Sequence, residues 1–315
     1  MTFNAVGRRR ELREWLRLRA PKSTIEFEVV AAHAGPSFER LAVTYRSMDG
    51  DAVPAFLLLP KQMRGPAAAV VVHHQHNGER HLGKSEVCGL AGDPLQAFGP
   101  ALAERGIIVL APDSICFEDR RHQATGTIPH EDDWLQHYNE MAYRLVRGDT
   151  LMCKVLEDAE AAVSVLLGLR SVDSSRIGVL GHSYGGNTAI FQAALDERVR
   201  FACSSGAVCS YRDKMQRGTG IELAEVLPGV LECFDVDELL RLTAPRPLLV
   251  MSAEGDKYSY DAEQVVREAA AAYAAAGAST ALEHCRYEGG HAITRERFDH
   301  MIAWFQHVVS GRGHR

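Results

Sequence analysis

Apolar and polar positions divide this chain into a regular succession of short elements. LAVTYRS and AVPAFLLLP flank MDGD, and Asp-Gly between alternating apolar runs predicts an antiparallel hairpin. AAAVVVHH, at 67–74, is a continuous apolar run rich in valine, as expected of a strand buried on both faces. A helical stretch follows in PLQAFGPALAERG, then a second buried strand, IIVLAP, at 107–112. From about 149 to 169 the apolar positions Val155, Ala159, Ala162, Val163 and Leu166 share one face of a long helix. The rest reads strand RIGVLGH, helix NTAIFQAAL, strand VRFACSSGA, strand RPLLVMSA, helix AEQVVREAAAAYAAAG, strand ALEHCRYEG and helix RERFDHMIAWFQHVV.

Strands alternating with helices predict an α/β fold with a doubly wound, mostly parallel sheet, the early hairpin forming its antiparallel edge. No repeat, low-complexity tract or linker interrupts the pattern, so residues 1–315 read as one domain with a helical extension over 1–40. Two polar stretches break the alternation, at 113–148 and 209–235. Both follow strands that should end on the same sheet edge, where long insertions serve as lids or binding walls. Surface decoration or a contact between copies in a homo-oligomer is the plainer reading of each.

The bulk numbers narrow the function. A net charge of -6 gives no basic footprint for nucleic acid. The cationic GRRRELREWLRLRA is broken by Glu11 and Glu14, and Leu12, Trp15, Leu16 and Leu18 recur at roughly helical spacing. That describes an amphipathic helix packed on the body rather than a membrane or targeting helix. No apolar run approaches the ~18 residues of a membrane span, and no secretory leader is recognisable. The seven cysteines are odd in number, scattered and never paired as C-x-x-C, which points to reduced thiols in a cytoplasmic protein.

The chemistry concentrates at GVLGHSYGG. A G-x-S-x-G pentapeptide is a weak signal alone, but this one lies between a β-run and a helix, the strand–turn–helix of a nucleophile elbow. Gly181 and Gly185 would leave room for a strained turn, and the following helix would aim free N–H groups at developing negative charge. A phosphate-binding turn is disfavoured because G-x-G-x-x-G spacing is missing. A serine needs a base, and the base an orienting carboxylate, in the order Ser…Asp/Glu…His on loops after later strands. EGDKYSYD follows one such strand and GH follows the next, so Ser183, Asp256 and His291 are the expected triad, with Glu254 and Asp261 as competing acids. The oxyanion donors should be the backbone N–H of Tyr184 and one from the loop VVVHHQHNGER, His76 first and Gln75 second. His73, His74 and His76 invite a metal reading, but spacing of one and three residues at a strand end splits them between faces.

These motifs resemble the α/β-hydrolase superfamily, and within it the dienelactone-hydrolase-like and acetyl-esterase-like serine hydrolases. VVVHHQHNG, APDSICFEDR, GVLGHSYGGN, PLLVMSAEGD and YEGGH carry the resemblance from about residue 40 to the end. It implies an α/β-hydrolase fold with about eight strands, no metal and no cofactor. Dienelactone hydrolases proper use cysteine where this chain has Ser183, and many relatives carry His-Gly where it has His74-Gln75. G-H-S-Y-G-G is also similar to prolyl-oligopeptidase-type peptidases, whose large N-terminal propeller is not accommodated by the first 40 residues.

The leading expectation is a serine hydrolase of a small to medium carboxylic ester or lactone, working through an acyl-enzyme. An acyltransferase, thioesterase or peptidase would use the same triad, and a non-catalytic binding protein of the same fold is the alternative of another class. Trp134, Tyr138, Tyr143 and Tyr211 could wall an aromatic or sugar-bearing ester, and His122, Arg120 and Arg121 could meet a carboxylate.

Overall fold

The computed structural model describes residues 4–311. Nine strands form a single sheet in the order β1-β2-β3-β5-β4-β6-β7-β8-β9. They are β1 (Phe27–Ala34), β2 (Phe38–Arg46), β3 (Ala52–Pro60), β4 (Ala67–His73), β5 (Ile108–Pro112), β6 (Val172–His182), β7 (Phe201–Ser205), β8 (Leu248–Ala253) and β9 (Leu282–Tyr287). The pairs β1–β2, β2–β3 and β3–β5 are antiparallel, and β5 through β9 run parallel around β4.

Every side chain of β4, β5 and β8 but Ala67 is buried, which is why these strands read as unbroken apolar runs. Alternate residues feed two cores. Val71, Leu110, Val179 and Val250 face the helices Ala5–Trp15, Leu151–Leu167, Tyr184–Leu195 and Ala262–Ala275. Val70, Val109, Leu180 and Met251 face Phe98–Ala103 and Arg295–Val309 on the other side.

The strand count corrects the expected eight. The extra strand, β1, lies inside 1–40, which had read as helical. Its side chains are almost all exposed, so no buried alternation announces it; ladder bonds to β2 hold it. The sheet edge is therefore β1, and the Asp-Gly hairpin is the next pair inward. The helix Ala5–Trp15 packs as its pattern predicts: Leu12 is fully buried, and Arg9 donates to the carbonyls of Ala194 (2.8 Å) and Leu242 (2.7 Å).

Both polar insertions leave the carboxyl edge of the sheet. The 113–148 stretch ends in the helix Asp133–Val146, and 209–235 contains the helix Tyr211–Arg217, N-capped by Ser210. Open α/β sheets bind ligands at this edge.

Candidate active site

β6 brings the chain to the carboxyl edge at His182, and the helix Tyr184–Leu195 leaves immediately. Ser183, between them, has φ 56 and ψ -122, a left-handed conformation that strains a residue with a side chain. Two hydrogen bonds hold it there: its N–H donates to Ser205 O (2.8 Å), and its carbonyl accepts from Asn187 N (3.0 Å). The flanking glycines are sterically required. A Cβ on Gly181 would lie 2.0 Å from Gly185 O, and one on Gly185 would lie 2.3 Å from His73 O.

The structure brings Ser183, His291 and Asp256 together from three loops. His291 Nε2 lies 2.7 Å from Ser183 Oγ, and His291 Nδ1 lies 3.0 Å from Asp256 Oδ1. Asp256 also accepts from Tyr258 N (3.0 Å) and from the Ser259 hydroxyl (2.7 Å). Burial alone would raise its pKa, but the His291 ring and these donors outweigh that and hold it below the ordinary carboxylate value. A buried carboxylate that stays ionised can orient an imidazole and stabilise its protonated form. The competing acids are elsewhere: Asp261 accepts from Ser210 N and Oγ, and Glu254 is exposed.

A layer behind the imidazole was not foreseen from sequence. Arg297, fully buried, donates to the carbonyls of Gly290 (3.2 Å), His291 (3.4 Å) and Ala292 (3.0 Å) and to Ser205 Oγ (2.9 Å). It thus ties the His291 loop to β7, which also anchors Ser183. The buried His182 ring lies 4.8 Å from that of His291. Burial, with His291 and Arg297 nearby, drives its pKa well below normal, so it packs there neutral.

Ser183 and His291 open into a cavity of about 320 Å³ that His76, Tyr184, Arg80 and Trp134 also line, with Lys214, Glu222 and Glu225 from the second insertion. His76 Nε2 pairs with Glu222 Oε2. Glu222 is buried, which would raise its pKa, yet the His76 partner brings it down to about 2. Tyr184 opens its helix, so its N–H has no intrahelical acceptor, and it borders the cavity together with His76. The Gln75 side chain instead turns to Glu86, to whose Oε1 it donates at 3.1 Å.

Of the seven candidate substrate contacts, Trp134 alone lines this cavity, and Tyr138 stacks on it with ring centroids 5.2 Å apart. Tyr211 and His122 lie outside the cavity. Tyr211 is buried away from the cavity and anchors the second insertion, its hydroxyl donating to Glu225 O (3.0 Å). His122 is exposed outside the cavity, its backbone N–H donating to Gln136 Oε1 (2.6 Å). The histidines at the end of β4 and just after it go to separate partners: His73 Nε2 to Gln192 Oε1 (2.7 Å), His74 Nδ1 to Gln75 O (2.7 Å) and His76 to Glu222.

The chain is similar to known hydrolases and esterases. Residues 135–225 match the acetyl xylan esterase (AXE1) family model. The chain is 30% identical over 250 residues to a candidate hydrolase of Bacillus subtilis (strain 168), YtaP, covering 76% of this chain and 78% of that one. A candidate acetyl xylan esterase from Bacteroides fragilis NCTC 9343 superposes with a TM-score of 0.74 at 13% identity, covering 90% of this chain and 74% of the other. The glucuronoyl esterase from Solibacter usitatus superposes with a TM-score of 0.66 at 17% identity, covering 95% and 91%. At that identity and coverage the chain belongs to one hydrolase family with YtaP, and its fold is that of the esterases on which it superposes.

Proposed function

We propose that this protein hydrolyses small to medium carboxylic esters through an acyl-enzyme on Ser183. The observation that carries the assignment is the chain of contacts from Ser183 Oγ to His291 Nε2 (2.7 Å) and from His291 Nδ1 to Asp256 (3.0 Å). Ser183 Oγ attacks the ester carbonyl as His291 Nε2 takes its proton. The tetrahedral oxyanion is met by the Tyr184 N–H and a backbone N–H of the 75–76 loop. The oxyanion collapses, the bond to the leaving oxygen breaks, and His291 returns its proton to that oxygen, releasing the alcohol. Water, deprotonated by His291, then attacks the acyl-enzyme and frees the acid and Ser183. Asp256 stays ionised throughout, holding the ring orientation.

The 113–148 and 209–235 segments act as walls of the substrate site, since Trp134 comes from one and Glu222 from the other. Esterified carbohydrates are the substrate class favoured by the acetyl xylan esterase match, and the exposed Trp134 face suits a sugar ring. A cytoplasmic setting is inferred from the scattered free cysteines.

The test is release of p-nitrophenol from C2 to C12 acyl esters by the intact protein and by Ser183→Ala, with EDTA present. Turnover of short esters should fall by about three orders of magnitude or more in the variant. Equal rates for both forms would remove Ser183 from the mechanism.

A further inference from the structure

Of the charged side chains around the Ser183 cavity, Arg80 alone makes no ion pair among the described residues, although Glu222 Oε1 is also left without a partner there. Glu222 is matched to His76, and Lys214 to Glu225 at 2.8 Å. Arg80 has no carboxylate partner among the described residues. Its Nε donates to His137 Nδ1 at 3.1 Å, and its Nη1 reaches Gly78 O only at 3.5 Å. Nη2 makes no hydrogen bond among the described residues. Yet Arg80 is only 5% exposed, and what it borders is the cavity.

A buried guanidinium without a hydrogen-bonded anion is costly, and its planar fork matches a carboxylate with two parallel bonds. Burial lowers the pKa of Arg80, and Glu222 raises it through space, its own Oε2 already committed to His76. The arginines that the sequence offered for an acidic group are spent within the fold: Arg120 on Asp158 (2.6 Å) and Arg121 on Asp133 (2.8 Å).

We propose that Arg80 binds a free carboxylate carried by the substrate, so that the preferred substrates are anionic esters: half-esters of dicarboxylic acids or O-acyl hydroxy acids. This rests on the ester-hydrolase reading above and adds a specificity that neutral esters do not probe.

The experiment compares kcat/KM within two matched pairs: 4-nitrophenyl hemiglutarate against 4-nitrophenyl valerate, and O-acetyl-lactate against isopropyl acetate. Intact protein should favour the anionic member of at least one pair by about tenfold or more, and added salt should shrink that ratio. Arg80→Gln should lower the ratio at least tenfold, and Arg80→Lys should restore part of it. Preference for the neutral member of both pairs, or a ratio that Arg80→Gln leaves unchanged, overturns the proposal. Should Arg80→Gln not fold, the intact protein decides through inhibition: glutarate should bind at least tenfold more tightly than glutaramide, and equal inhibition constants sink the idea. Turnover of neutral esters without anionic preference ends this inference alone. No turnover of any ester, together with no labelling of Ser183 by a fluorophosphonate, ends the ester-hydrolase reading and this inference with it.

Discussion

Glu86 shows how much one buried side chain near the site can set. It accepts from Gln75 Nε2 (3.1 Å) and from Asp93 N (3.3 Å), and burial, which these bonds only partly offset, pushes its pKa up to about 7. In the unfolded chain a glutamate titrates near ~4.3. The folded value is the higher one, so the stabilising contribution is fully present below ~4.3 and is lost as pH rises through about 7. Glu86→Gln, neutral throughout, should gain on the parent protein by a few kcal/mol, on the order of 3, between pH 4.5 and 8. Urea midpoints at several pH values measure this, and parallel curves would contradict it. Side chains of this kind separate what was legible in sequence from what was not. Ser183, Asp256 and His291 were legible because each follows an apolar β-run at a turn, in an order that the chemistry dictates. The free state of Arg80 and the anchoring role of Tyr211 depend on partners far along the chain, which local pattern does not reveal.

At the scale of elements, the helix Leu151–Leu167 was read as one-faced and is instead buried nearly all round. Its polar residues are carried inside as pairs: Lys154 Nζ meets Asp49 (2.5 Å), Asp51 (2.9 Å) and Asp158 (3.0 Å), and Arg120 also meets Asp158 (2.6 Å). Periodicity marks apolar positions but is silent about buried charge that brings its own counter-ion. Lys154→Met would take the shared cation from Asp49 and Asp51 and leave Asp158 to Arg120 alone, and should cost on the order of 3 kcal/mol, read as a fall in urea midpoint. A change within ~0.5 kcal/mol would mean that the carboxylates find other partners. β1 is the converse case, an element held by ladder bonds with little burial to betray it. The elbow is the most exacting element. Gly185→Ala would drive a methyl into His73 O, which lies 2.3 Å from the Cβ position. That variant should lose Ser183 labelling along with stability, and full labelling would mean that the turn can yield.

Across the whole molecule, the sheet separates anchoring from chemistry. Arg9 binds the carbonyl of Ala194, at the opposite end of the helix from Ser183, roughly 18 Å away along a 12-residue helix. Arg9→Met leaves the Ala194 carbonyl without its donor, while Leu242 O keeps Arg246 Nη2 (3.2 Å), and should cost about 1–3 kcal/mol, while the folded fraction keeps its kcat/KM within about twofold. Active-site titration alongside urea melts checks this, and a large drop in rate per labelled site would show the two ends to be coupled. The carboxyl edge collects Ser183, Asp256, His291 and both insertions, and Trp134 stands there 55% exposed. The other two tryptophans are packed: Trp15 lies edge-on to Phe234 at 5.6 Å, and Trp304 is buried with its indole N–H on Glu283 (2.7 Å). Their emission should lie to the blue of Trp134, so red-edge excitation selects the indole at the cavity wall. The protein thus carries a built-in optical reporter, and ligand entry could be timed by stopped-flow fluorescence without a label.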